Sequence, residues 1–350
     1  MEQLTIGCDL GDRWTQICVV AGGGEIVKEA RVRTTPAGFR RYFSERPTAR
    51  AVIEVGTHSP WVADLLAELE HDVVVANQRV VRLIYANRNK HDRLDAEALA
   101  RVGRIDPNLL SPVRHRVRPS RADLALIRAR DELVQARSKL VNHVRGVVKS
   151  AGGRLVACET AAFHRKVREA IPPSLRPALH PILVVLEQLT EQIRHYERLI
   201  EDRAERAYPE TSRLTQVHGV GSLTALAFVL TLGDADRFEK SRTVGAFLGL
   251  TRRQRQSGES NPALGITKHG DRYLRRLLVG SAHRILGPFG EDSDLRRWGL
   301  DLAKRGGRGG KHRGASLRTA IQHLTRVASS WKQCCSCSGR SAKCPEMQLA

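Results

Sequence analysis

LTIGCDLGDRWTQICVVAGGGEIVKEARVRT, residues 4–34, holds three runs of strand-forming residues and two turns. LTIGCDL and WTQICVV are rich in β-branched and aromatic residues, AGGGE can only be a turn, and EIVKEARVRT alternates polar and apolar. Three meandering strands follow. Downstream, a helix is expected near 36–47. ARAVIEVG reads as a buried strand with Glu54 at its end, SPWVADLLAELE as a helix, HDVVVAN as a second buried strand and HDRLDAEALARVGR as a helix. Three meandering strands, then alternating helices and strands, predict a mixed α/β sheet over residues 1–115.

From Ser120 the period changes. Leu126, Leu133, Leu140 and Val147 recur at seven, with Ile127, Val134, Val141 and Val148 beside them. Leu186, Leu189, Ile193, Tyr196 and Ile200 repeat the 3–4 spacing. The spacing predicts a helical, coiled-coil arm over 120–205, broken by Gly152–Gly153 and by the prolines from Pro172 to Pro181. Heptads alone do not say whether the two helices pack on each other or on a second chain. A mainly helical C-terminal domain is expected over 210–331. It contains VHGVGSLTALAFVLTLG, whose Gly219 and Gly221 resemble the turn of a helix–hairpin–helix element, and the basic loop RGGRGGKHRG. Residues 332–350 form a tail with Cys334, Cys335, Cys337 and Cys344, whose spacing matches no common zinc finger.

The 350 residues carry a net charge of +21. Residues 1–110 hold 15 Lys+Arg against 15 Asp+Glu, so the whole excess lies beyond them. Such an excess calls for a polyanion, and nucleic acid is the usual one. No apolar run is long enough to span a membrane and no secretory signal pattern opens the chain, so a cytoplasmic protein without a membrane partner is expected. Aromatics make up only 5%, so binding should run mostly through phosphates.

Four acids stand out. Asp9 closes the first strand, Glu54 closes the fourth, and Asp92 and Asp95 are three residues apart on one helix face. Carboxylates gathered together repel unless cations lie between them. Mg²⁺ takes oxygen ligands and keeps waters that reach phosphates. A two-metal site would clamp both oxygens of a displaced phosphodiester. Arg88, Lys90 and Arg93 then read as phosphate contacts. Taken singly, each acid could be an ordinary solvent-facing or capping residue; the four as a set favour the metal site.

A second dense stretch runs from Arg252 to Arg276. Arg252, Arg253, Arg255, Lys268, Arg272, Arg275 and Arg276 surround a Gly-flanked loop with Ser257 and Ser260. Arginines there could stabilise charge on a phosphate, though by type alone Ser257 is an ordinary loop serine. The backbone N–H groups near Gly219 and Gly221 could hold a phosphate, or simply turn a helix corner.

The order of these motifs resembles the DEDD transposases of the insertion sequence 110 family. The resemblance runs from about residue 4 to about 300 and is carried by Asp9, by IEVGTHSPW, by Lys90 to Ala96 (KHDRLDA), and by GLTRRQRQSG. It implies an RNase H-like (RuvC-like) N-terminal domain, a coiled-coil region and a C-terminal transposase domain. It implies that Asp9, Glu54, Asp92 and Asp95 hold Mg²⁺ or Mn²⁺, and that Ser257 becomes joined covalently to DNA. The partners it implies are double-stranded DNA (element ends and target), a structured guide RNA and further copies of the chain, as a dimer or tetramer; the setting would be the prokaryotic nucleoid. The segment GASLRTAIQHLTRVASSWKQCCSCSG departs from the Ala- and Lys-rich helix with which that family usually continues. Two other readings remain: a RuvC-type metal-dependent endonuclease, which needs the acids but no serine, and a nucleic-acid-binding protein without catalysis.

Overall fold

The computed structural model describes residues 4–78, 92–234, 237–238, 240–251, 253, 255–256, 264–288 and 290–305. The chain divides into two compact units, Met1–Arg116 and Val117–Ala350.

The first unit is built on a five-stranded sheet: β1 (Thr5–Leu10), β2 (Trp14–Val20), β3 (Ile26–Arg33), β4 (Arg50–Glu54) and β5 (Asp72–Ala76), in the order β3-β2-β1-β4-β5. The first three strands pair antiparallel, as tight turns permit, while β1–β4 and β4–β5 are parallel and need helical crossovers. The mixed sheet is therefore as expected. α1 (Pro36–Phe43) and α2 (Ser59–Glu68) supply those crossovers. Thr35 caps α1, accepting from the Gly38 N–H at 3.2 Å, and Pro36 sits where the helix needs no donor. Phe39, Phe43, Val62 and Leu66 then pack with Ile6, Cys8, Ile17 and Ile53 into a core. Each such side chain contributes about 1.5–3 kcal/mol.

The other sheet face carries α3 (Asp92–Ile105). It sits very close, because Gly7 and Gly103 remove the side chains that would hold it off. A Cβ at Gly7 would lie 2.0 Å from the Ala96 carbonyl oxygen, and one at Gly103 would lie 2.4 Å from Val52 Cγ2. Ala96 and Ala100 fill the remaining space beside Cys18 and Val20.

In the second unit, α4 (Arg118–Ser150) and α6 (Arg176–Ala207) bracket the short α5 (Phe163–Lys166). Asp123 meets Tyr208, Arg130 meets Glu197 and Arg137 meets Thr190, so partners advance in opposite directions along the two helices. They form an antiparallel pair. Of the two heptad series, the one with Ile127, Val141 and Val148 is buried. Much of the sequence periodicity thus serves packing within the chain. The Gly152–Gly153 break ends α4 as expected, but the proline break does not extend to Pro181, which lies inside α6. Pro177 occupies the first turn, where a missing N–H costs nothing, and Pro181 falls in the next turn, where only one hydrogen bond is lost.

α7 (Thr211–Thr215), α8 (Ser222–Leu232), α9 (Ser241–Phe247), α10 (Arg272–Leu286) and α11 (Asp294–Arg305) complete the unit. α8 is apolar on every side, and residues 224–232 are all buried, so it forms the centre of the second core. The basic loop RGGRGGKHRG beyond Arg305, the rest of the helical domain expected up to residue 331 and the cysteine tail lie outside the described residues.

Candidate nucleic-acid active site

β1 and β4 are parallel neighbours, and their paired register ends with Cys8 opposite Ile53. Asp9 and Glu54 follow directly, side by side at the carboxyl ends of two adjacent strands. Side chains alternate along a strand, so Asp9 shares the face of Gly7, and Glu54 that of Val52. That is the face against which α3 packs, since Gly7 meets Ala96 and Gly103 meets Val52.

α3 runs back across this face. Arg50, which pairs with Thr5 near the start of β1, donates to the Gly103 carbonyl at 3.2 Å, whereas Gly7 meets Ala96. The N-terminal turn of α3 therefore points toward the strand ends where Asp9 and Glu54 stand. Asp95 precedes Leu99 by four residues, and so lies on the sheet-facing stripe of the helix. Asp95 is half-buried; the side chain of Asp92 lies outside the described residues. Asp9 and Glu54 are also half-buried. Burial pushes the Cys8 thiol up, and the negative charge of Asp9 pushes it further.

Asp9, Glu54 and Asp95 offer carboxylate oxygens only, the donor set that suits Mg²⁺ or Mn²⁺. Among the described residues, no group of three or more His, Cys, Asp or Glu stands close enough to hold a metal ion. The backbone sets the acids at one end of the sheet. It does not bring the described side chains to ligand distance.

Of the expected phosphate contacts nearby, Arg88 and Lys90 lie outside the described residues. Arg93 is exposed and pairs with Glu29. His58 precedes α2 beside the acid end. The Trp61 indole donates to its Nδ1 at 3.2 Å, which puts the imidazole proton on Nε2. That atom stands 3.8 Å from Asp12.

In the second unit, Ser257, Ser260 and Arg252 lie outside the described residues, but the base of their loop is well defined. Arg253 N–H donates to Gly265 O, Thr267 N–H to Thr251 O, and Lys268 N–H to Gly249 O, each at 2.9 Å. Gly249, at φ +66°, packs so closely on His269 that a Cβ would lie 2.4 Å from its backbone nitrogen. Lys268 also has positive φ. The two ends of the serine loop are thus tied together at the start of α10. Asp271 caps that helix, accepting from the Leu274 N–H at 2.8 Å.

Arg253, Arg255, Lys268 and Arg272 are exposed around this base. Arg275 and Arg276 have internal work as well. Arg275 donates to the Leu248 carbonyl at 2.9 Å, and burial pulls its pKa down against the opposing pull of Asp271. Arg276 pairs with the buried Asp131 and lies over the Tyr273 ring. Gly219 has φ +84° and packs on Ile285, so its conformation and its contact both require glycine. Gly221 begins α8 with extended backbone and open space around it.

No described helix is long and apolar enough to cross a membrane. Residues 6–152 match the profile of the IS110 DEDD transposases, and residues 211–289 match that of the transposase IS116/IS110/IS902 family. The transposase for insertion sequence element IS1328 of Yersinia enterocolitica is 30% identical over 286 residues, which cover 79% of this chain and 82% of that protein. The transposase for insertion sequence element IS1111A of Coxiella burnetii is 28% identical over 289 residues, 80% of this chain and 77% of that one. A probable family 20 transposase of Pseudomonas aeruginosa is 29% identical over 313 residues, 87% and 91% of the two chains. The acid end of the sheet falls within the first matched block and the clamped serine loop within the second, and the chain belongs to the IS110 family of DEDD transposases, insertion-sequence enzymes that act on DNA.

Proposed function

We propose that this transposase exchanges DNA strands through a covalent serine–DNA intermediate, with Asp9, Glu54, Asp92 and Asp95 as metal ligands and Ser257 as nucleophile. The observation that carries it is the adjacency of Asp9 and Glu54 at two parallel strand ends, on the face where the N-terminal turn of α3 brings Asp95. The strand order and the acid positions support an RNase H-like fold of the RuvC kind. Bound Mg²⁺ or Mn²⁺ would polarise the scissile phosphate and neutralise charge as it develops.

The residues do the rest. A carboxylate of the set takes the proton from Ser257 Oγ. The oxygen attacks phosphorus, a Ser–O–P bond forms, the bond to one deoxyribose oxygen breaks, and that oxygen leaves as the new strand end. Reversal on a second strand rejoins the DNA without hydrolysis. Arg253 and Arg255, beside the clamped base, hold the phosphate, and Arg252 joins them. The clamp has a chemical purpose: a nucleophile on a free loop would lose the orientation that makes attack fast.

The basic excess beyond residue 110 gives room for two polyanions, the DNA and a structured guide RNA. Ser257 must meet the acids during reaction, within one chain or across two copies. Exposed Val184, Val185 and Leu199 on α6 offer apolar contacts to a second copy.

The test is a strand-transfer assay with Ser257→Ala, followed by denaturing electrophoresis. Loss of every protein–DNA adduct with DNA binding retained supports the serine route. Normal recombination by this variant would shift the assignment to a RuvC-type nuclease.

A further inference from the structure

The sheet face with the acids continues past them to a cationic surface. Glu54 stands beside Asp9; Asp9 pairs with Gln16; Gln16 pairs with Arg31. These four residues form one row across four strands. The next row on the same face pairs Trp14 with Arg33. Alternation along β2 and β3 keeps all of them on the α3 side, while Val32 between the two arginines is buried on the other. With about 4.8 Å between strands, Arg31 lies about 10 Å from Asp9 along the row, a few nucleotide rises along a DNA strand.

Trp14 is 36% exposed. The guanidinium carbons of Arg31 and Arg33 lie 4.7 Å and 4.8 Å from its ring centroid. Charge on an edge strand such as β3 discourages unwanted pairing. That accounts for basic residues there but not for an exposed indole beneath them. The indole holds both guanidiniums by cation–π attraction, which occupies their faces rather than their N–H donors. Long side chains held in this way lose less rotamer freedom when they bind. Neither arginine has a carboxylate partner among the described residues, although Glu29 on the same strand pairs with Arg93. Two ordered, uncompensated guanidiniums in line with a phosphate-processing site fit a phosphodiester backbone.

We propose that Trp14, Arg31 and Arg33 form a platform that holds the backbone of the DNA strand flanking the phosphate at Asp9 and Glu54. The placement rests on the reading of the acids given above. Its test is independent of that reading, because binding needs neither metal nor turnover.

The experiment is fluorescence anisotropy of the full chain with a labelled DNA duplex in EDTA, over 50 to 200 mM salt. Two lost phosphate contacts lower the slope of log affinity against log salt by about 1.8. For Arg31→Ala/Arg33→Ala, the affinity lost across that salt range should therefore be roughly tenfold smaller than for the unaltered chain. Arg31→Lys/Arg33→Lys should keep the slope and bind more weakly, since charge remains and the planar stack is gone. Trp14→Ala should do the same. Should the alanine pair fail to fold, Arg31→Gln/Arg33→Gln gives the same reading. An unchanged slope in a folded double variant overturns the proposal. A change seen with single-stranded RNA of the same sequence but not with the duplex overturns its assignment to DNA. Strand transfer surviving in Asp9→Asn would sink the acid reading and leave the slope result standing.

Discussion

Gly7 lies so close beneath α3 that a Cβ there would stand 2.0 Å from the carbonyl oxygen of Ala96 and 2.6 Å from the Ala100 nitrogen. Both obstacles are helix backbone, which cannot rotate away as a side chain can. Gly7→Ala should cost about 1–3 kcal/mol or more and lift α3 from the sheet. A melting temperature within a degree of the unaltered protein would contradict this. Because α3 carries Asp92 and Asp95, strand transfer should fall further than stability alone explains.

Asp9→Asn and Glu54→Gln should each abolish strand transfer, by about a hundredfold or more, while the fold and DNA binding persist. Each substitution removes a charge at a strand end and leaves the core residues of both sheet faces untouched. The measurement is strand transfer beside DNA affinity and melting temperature. Full activity in either variant would remove that acid from the reacting set.

Ser257→Ala should eliminate covalent adducts, whereas Ser260→Ala should be milder. An Asp9→Asn chain mixed with a Ser257→Ala chain should recover part of the activity if acids and serine from different copies meet. No recovery would place both in one chain.

Arg276→Ala should destabilise the second unit by about 1–3 kcal/mol, because Asp131 is buried and would lose its charged partner, keeping the hydrogen bond from Gln135. Arg276→Lys keeps the charge and should recover part of that loss. A melting curve unaffected by Arg276→Ala would return this residue to a purely DNA-contacting role.

His164 supplies a pH dependence. It is buried, and burial holds its pKa below the ordinary histidine value, with Arg165, Arg168 and Arg194 adding to that and Glu187 opposing it. A histidine whose folded pKa is depressed takes up its proton more readily when unfolded. Its contribution is intact above about pH 6.5 and is lost as pH falls below that. The melting temperature should drop between pH 7.5 and 5.5, and His164→Gln should flatten the drop. An identical pH profile for the variant would exclude His164.

The sequence alone determined most of the local structure. Alternation marked β3, short runs rich in strand-forming residues marked β1, β2, β4 and β5, and 3–4 spacing marked α4 and α6, because burial imposes such patterns on any chain. Asp9 and Glu54 were conspicuous as acids closing apolar strands, and a resemblance of whole motifs pointed to the family. Pro181 was misread because a proline's cost depends on its place in the helix, which composition does not reveal.

Tertiary structure alone decided what lay beside what. The pairing of Cys8 with Ile53 set Asp9 next to Glu54 across 45 residues of chain, and pairing of Gly249–Arg253 with Gly265–Lys268 clamped the serine loop. Trp14, Arg31 and Arg33 gave no signal in the sequence, where they read as ordinary strand residues. They became a group only when register placed them on one face beyond the acids. Periodicity is a property of neighbours along the chain. Register, close approach and paired charge depend on residues far apart in sequence, and only the packed sheet and helices bring those together.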